Sequence, residues 1–317
     1  MVREVQQDDL KLSDTVLTFI FKWLKHRDLV RCSLVCHSWK KAASDNSLWT
    51  NVDLSCHRKT LNEKRILSFI ASRGSVHLIS LNLSHLSITP RILKALKSKC
   101  PHLKFLNLQQ CCFDRFVDEV KDYADIPDKL QLLNIRHTHD HPFLQAISHK
   151  LHLVKYLAFT NSFLLNVAEC EFFRIAKNLV GLYISHSSTA TDELFNYIAR
   201  SCRHLKSLSI RHCSNIYGED LYEVLGKCKN LRSLYIVGTN IDNEALQSCD
   251  LSRGRLEELE VSWCKNVKSV GLRALLSKRS SLKYLRLCSN MFGAAVDCDV
   301  ATAMYFRHPK LEVIDIR

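Results

Sequence analysis

The sequence of 317 residues predicts an α/β fold, with stacked strand–helix units behind a small helical N-terminal unit. Three observations carry this. First, the pattern Leu-x-x-Leu-x-Leu, with aliphatic substitutes and Phe159, recurs from residue 78 onward. It starts at Leu78, Leu103, Leu130, Val154, Leu179, Leu205, Leu231, Leu256, Leu282 and Leu311, always 24 to 29 residues apart. Second, the intervening segments place apolar residues at helical spacing, as in Leu194, Tyr197 and Ile198, or Leu221, Val224 and Leu225. Third, residues 12–54 lack the repeat yet are crowded with large apolar side chains.

In chain order, Ser13-Asp14 is a helix-start signal, and residues 12–28 read as one helix. Val16, Leu17, Phe19, Ile20, Phe21, Trp23 and Leu24 spread over an arc of roughly 200° at about 100° per residue. A helix facing a single core shows a narrower stripe. Two further apolar clusters follow, "DLVRCSLVCHSW" and "NSLWTNVDL". A unit this small hides too little of its surface to bury all of them. It must pack on the repeats or present a docking face. Trp49, Val52 and Leu54 match a degenerate first repeat, so residues 55–77 read as a linker or the rest of that repeat. Residues 78–317 then form about ten units. In each, alternation such as "LKSLSI" (205–210) marks a short strand with one buried face, followed by a helix. One such unit cannot form a core alone, so the units must stack.

Composition excludes several classes. Mean hydropathy is −0.09, and no run approaches the ~18 apolar residues of a membrane span. The N-terminal "MVREVQQDDLKL" has no apolar signal region. The 14 cysteines are therefore read as thiols in a reducing compartment, cytoplasm and/or nucleus. The net charge of +13 is spread along the chain and forms no basic tail. Two stretches invite chemistry. Cys36 beside His37 would need an oriented thiol–base pair, but neighbours on a helix point about 100° apart. His137, His139, Asp140 and His141 offer zinc-like ligands, yet they follow a strand, where polar loop residues are expected, and no completing ligand from elsewhere in the chain is identifiable. No catalytic site, metal or other cofactor is expected.

The repeats resemble the leucine-rich-repeat family in its cysteine-containing subtype. That resemblance implies a right-handed horseshoe with a parallel concave sheet and convex helices. The subtype favours Cys or Asn eight residues after each strand's first key position, which holds Leu86, Cys111, Thr138, Ser162, Ser187, Cys213, Thr239, Cys264 and Asn290. Cys100, Cys202 and Cys228 recur just ahead of the next strand, and all these cysteines read as packing residues.

The order "L-x-D-x-V-L-x-x-I-F-x-x-L-x-x-x-D-L-x-x-x-x-x-V-C-x-x-W" from Leu12 to Trp39, then Leu48-Trp49, resembles an F-box. Together the two parts are similar to F-box/leucine-rich-repeat proteins. The resemblance implies a non-catalytic substrate receptor that docks a Skp-family adaptor and, through it, a cullin–RING ubiquitin ligase. The adaptor-facing set it implies is Leu12, Val16, Leu17, Ile20, Phe21, Leu24, Leu29, Val35, Trp39, Leu48 and Trp49. Ser13 stands where the family usually has proline; serine can cap the helix instead.

The substrate would lie on the concave side, against Arg136, Tyr156, Tyr183, Arg211, Tyr235, Trp263, Tyr284 and Arg286. Through the first seven repeats this face holds Lys, Arg and His but no Asp or Glu; Glu257, Glu258 and Glu260 reverse the sign in the eighth. An acidic or phosphorylated protein substrate fits that balance, with Arg136 and Arg211 making paired bonds to its anion. The alternative is a solenoid that binds nucleic acid on its basic face or acts as a scaffold. It leaves the N-terminal apolar surface unexplained.

Overall fold

The computed structural model describes residues 12–72, 76–113, 120–138, 143–160, 173–252, 254–277, 280–288, 308 and 310–315. Three short helices come first: α1 Asp14–Phe21, α2 His26–Cys32 and α3 His37–Ala43. Ser13 caps α1, its Oγ accepting from Val16 N at 3.3 Å. The single helix expected over residues 12–28 is broken. Trp23 N and Leu24 N bond three residues back, to Ile20 O and Phe21 O, and α2 restarts after Lys25. Asp14 ties α1 to α3, accepting from Ser38 Oγ at 3.0 Å and pairing with Lys41 Nζ at 2.7 Å.

The sheet begins with β1 Asn51–Asp53, whose convex partner is α4 Glu63–Ser72. The strand–helix array thus starts one unit earlier than residue 78. The next strands are β2 Ser80–Asn82, β3 Ser87–Ile88, β4 Phe105–Asn107 and β5 Cys112–Phe113. Then come β6 Leu132–Ile135, β7 Tyr156–Thr160, β8 Gly181–Ser185 and β9 Ser207–Arg211. β10 Ser233–Val237, β11 Glu258–Ser262, β12 Tyr284–Arg286 and β13 Val313–Asp315 complete the set. Eleven strands form one parallel sheet in chain order; β3 and β5 pair separately at the corner of the first repeats. Register equals repeat position: Leu182 stands beside Leu208, then Leu234, Leu259 and Leu285, so each leucine row is one continuous buried ridge. The repeat leucines Leu78, Leu103, Leu130, Leu205 and Leu282 are fully buried. Burying such a side chain contributes about 1.5–3 kcal/mol.

Helices Pro90–Lys99, Glu193–Ser201, Leu221–Lys227, Asn243–Ser248 and Ser269–Leu275 cover the other side of the sheet. The buried cysteines of the repeats, Cys100, Cys111, Cys202, Cys213, Cys228, Cys249 and Cys264, are packing groups at fixed stations. Cys100, Cys202 and Cys228 end their helices, as does Cys249, which spacing alone did not single out. Burial pushes the Cys202 and Cys249 thiols up to about 12, so they stay protonated and inert. At the strand exits, Cys111 Sγ donates to Leu83 O at 3.1 Å and Cys264 Sγ to Ser262 O at 3.3 Å. Ser162 and Asn290 lie outside the described residues.

Asp192 precedes the helix Glu193–Ser201 but does not cap it with its side chain. Its carboxylate instead accepts from Tyr217 N and Gly218 N, at 3.0 and 2.7 Å, in the following repeat. One unit thereby satisfies the turn of the next. Gly218 is required there: its φ is +93°, and a Cβ would meet Ile241 Cγ1 at 2.7 Å.

Candidate functional site

Two surfaces stand out. On the N-terminal unit, helical periodicity divides the wide apolar arc into two stripes. Leu17 and Phe21 lie on the buried one, packed with Leu29, Leu48 and Trp49. Phe21 meets Trp39 edge-on, ring centroids 5.3 Å apart. Leu12, Val16, Phe19, Ile20 and Trp23 lie on the exposed one, with Trp23 82% and Phe19 62% accessible. The turn between α2 and α3 adds Leu34, 81% accessible, and Val35. Exposed apolar groups of this size, concentrated on one short unit, mark an interaction surface.

The adaptor-facing set inferred from the sequence is corrected accordingly. Leu17, Phe21, Leu29, Leu48 and Trp49 are interior in this fold, and Leu24 and Trp39 are partly buried against the core. Leu12, Val16, Ile20 and Val35 are exposed. Phe19, Trp23, Val30 and Leu34 are exposed apolar residues absent from that set. Separating 12/16/19/23 from 17/21/24 by the 3.6-residue period would have found Phe19 and Trp23. Val30 and Leu34 needed the position of the helix break.

Trp49 explains how this unit is held. Its Nε1 donates to Ala43 O at 2.8 Å, and its ring meets His26 at 5.3 Å and Phe69 of α4 at 6.1 Å. The helices therefore cap the array on one flank and leave the other bare. Burial holds the His26 imidazole below its ordinary pKa, against opposing effects of the Leu48 backbone and Asp53. An unfolded chain then binds this proton more readily than the folded one. The His26 contribution is complete above the ordinary histidine value of about 6.5. It is lost as pH falls through the folded value. The melting temperature of the native chain should drop more steeply between neutral and mildly acid pH than that of His26→Gln; parallel profiles would contradict this.

The second surface is the open side of the sheet. Seven described strand exits turn through left-handed backbone at the same station: His85, Gln110, His137, His186, His212, Gly238 and Trp263, with φ from +50° to +66°. Non-glycine residues seldom adopt this conformation. It swings their side chains into a row along one margin of the sheet. His186 and His212 stack with centroids 4.7 Å apart, and a Cβ on Gly238 would come within 2.5 Å of His212 Nδ1. Trp263 ends the described row, 61% accessible.

Arg136 lies 4.7 Å over the Tyr183 ring, its guanidinium held by Gln109 Oε1 at 3.1 Å and Asn134 Oδ1 at 3.2 Å. Arg211 is a correction to the expectation that it is available to an anion. Its Nη2 donates to Glu260 Oε2 at 2.9 Å, from a strand two places along, and Glu260 is itself buried. Arg232 and Lys283 both bind Glu257. Tyr235 donates to Glu258, and Tyr284 donates to Glu312 at 3.2 Å, while Tyr156 and Arg286 are exposed. The acids of β11 thus neutralise much of the basic character at that end.

The Cys36–His37 pair is not assembled. Cys36 precedes α3 and His37 opens it, both exposed, and no hydrogen bond joins them among the described residues. His137 is described, but His139, Asp140 and His141 lie outside the described residues. Among the described residues no group of three His, Cys, Asp or Glu is placed to hold a metal ion.

Comparison with known proteins agrees with this division. An F-box-like family model matches residues 14–55. Human F-box/LRR-repeat protein 12 is 36% identical over 107 residues, covering 31% of this chain and 32% of that protein. The bovine protein of that name is 36% identical over 105 residues with the same coverage. The matched stretch spans only about a third of these relatives' length. Among solved structures, that of the yeast Rad7 and Elc1 complex superposes with a TM-score of 0.52 at 16% identity, over 96% of this chain and 88% of that one. The chain is therefore an F-box-like helical segment followed by a leucine-rich-repeat-type solenoid.

Proposed function

We propose that this chain is a substrate-recognition subunit of a Skp–cullin–F-box ubiquitin ligase, acting in the cytoplasm or nucleus. The observation that carries the reading is the bare apolar stripe of α1, continued by Leu34 and Val35, inside the segment that matches the F-box-like model. A Skp-family adaptor covering that stripe would hold the solenoid at a fixed distance from the cullin, leaving the open sheet free for a target protein. The chain's part in ubiquitin transfer is then proximity: it turns a bimolecular encounter into a near-intramolecular one. Uncovered, the stripe is an aggregation liability, which a permanent partner removes.

The test is capture of purified Skp adaptor and cullin by the full chain, beside the exposed-site variant Trp23→Asp/Leu34→Asp. Neither side chain contributes to the core, so the variant should keep its fold and melting temperature while losing capture. Equal capture by both proteins would defeat the proposal. A nucleic-acid-binding solenoid is less well supported, because Glu257 and Glu260 already engage Arg232, Lys283 and Arg211.

A further inference from the structure

Centred on β7 to β9, the outward-facing positions change character. Ala158, Gly181, Ser207 and Ser209 are all small, and they floor a cavity of about 400 Å³ walled by Tyr156, Tyr183 and Tyr235. Gly181 is essential to the shape. The Tyr156 ring lies across it, and a Cβ at residue 181 would come within 2.7 Å of that ring. The lining is chiefly aromatic faces and aliphatic carbon, and the volume suits one bulky apolar side chain with its neighbours.

The charges on the β6–β7 side of this pit and at the N-terminal ends of its strands are positive, whereas toward β11 Glu258 accepts from Tyr235 and Glu260 pairs with Arg211. Arg136, stacked on Tyr183, borders it at the C-terminal ends of the strands, bound to two amide oxygens but to no carboxylate among the described residues. At the N-terminal ends, Lys155 and Lys206 are exposed beside a second hollow of about 320 Å³ shared with His152 and His204. Neither lysine has a carboxylate partner among the described residues. Arg211 is the exception, already paired with Glu260.

We propose that this pit receives a bulky apolar side chain from an acidic segment of a partner protein. Carboxylates on either side of that residue would reach Arg136 at one margin and Lys155 or Lys206 at the other. The aromatic walls give anchoring area at small entropic cost, and the cations select the charge of the flanking residues. This deepens the receptor reading above, for which it names the substrate class.

A displayed library of random linear peptides, selected on the full chain, tests it. Enriched sequences should carry Leu, Phe or Trp flanked by Asp or Glu. A labelled copy of the strongest peptide should bind at least tenfold more weakly to Ser207→Trp, which fills the pit, and to Lys155→Glu/Lys206→Glu, which reverses its margin. Both variants should still capture the Skp adaptor as the native chain does, which shows that the fold is kept. Replacing the acids of the peptide with phosphoserine distinguishes carboxylate from phosphate recognition. Enrichment of basic peptides, no enrichment, equal binding to Ser207→Trp, or displacement of the peptide by a single-stranded oligonucleotide at lower concentration than by unlabelled peptide would overturn the proposal. Peptide binding without adaptor capture would remove the ligase reading and leave the pit; adaptor capture without peptide binding would do the reverse.

Discussion

Trp49→Ala is expected to lower stability by about 3–5 kcal/mol, the usual cost of deleting a large buried aromatic. Trp49 is 3% accessible and touches three different parts of the chain: Ala43 O at the end of α3, His26 at the start of α2, and Phe69 on α4. Removing it opens a void between the N-terminal helices and the first strand–helix unit and leaves Ala43 O without its donor. The loss should appear first in the N-terminal unit, because solenoid units depend mainly on their neighbours. Urea unfolding followed by far-UV circular dichroism measures it. A change within about 0.5 kcal/mol, as at surface sites, would mean that Trp49 does not join the two parts.

Leu208→Ala should be comparably severe, at about 2–5 kcal/mol. Leu208 is fully buried at the centre of the sheet, between Leu182 and Leu234 on the adjacent strands. Neighbours on both sides are fixed by strand register, so the cavity cannot collapse without breaking the pairing of β8, β9 and β10. Leu34→Ala, at an exposed position, is the matched control and should leave stability almost unchanged. Equal effects of the two substitutions would contradict the assignment of the leucine ridge as core.

The sheet was legible in the sequence because each repeat leucine meets the same requirement. Leu182, Leu208 and Leu234 must face inward at one station of a stacked unit, and that constraint prints the same residue type about every 25 positions. The cysteines were legible for a related reason: only a small side chain fits where a helix ends against the next strand, as at Cys202 and Cys228. Other features depend on where two distant segments meet. The Arg211–Glu260 pair joins residues two strands apart, and Asp192 binds the turn at Tyr217–Gly218 rather than its own helix. No local pattern encodes either. The left-handed station was hidden because His, Gln, Gly and Trp all occupy it. In the N-terminal unit, apolarity alone did not say which residues face inward. Leu17 and Trp23 look alike by composition; the 3.6-residue period puts them on different stripes, and the packing of α1 on α3 decides which stripe faces inward.

That separation is where the functional account rests. Hydrogen–deuterium exchange of the full chain, with and without saturating Skp adaptor, tests it most directly. The account predicts slowed exchange across α1 and the α2–α3 turn, residues 12–35, with the strands from β6 to β12 unchanged. Protection on the open side of the sheet, or no protection of residues 12–35 despite binding, would contradict it.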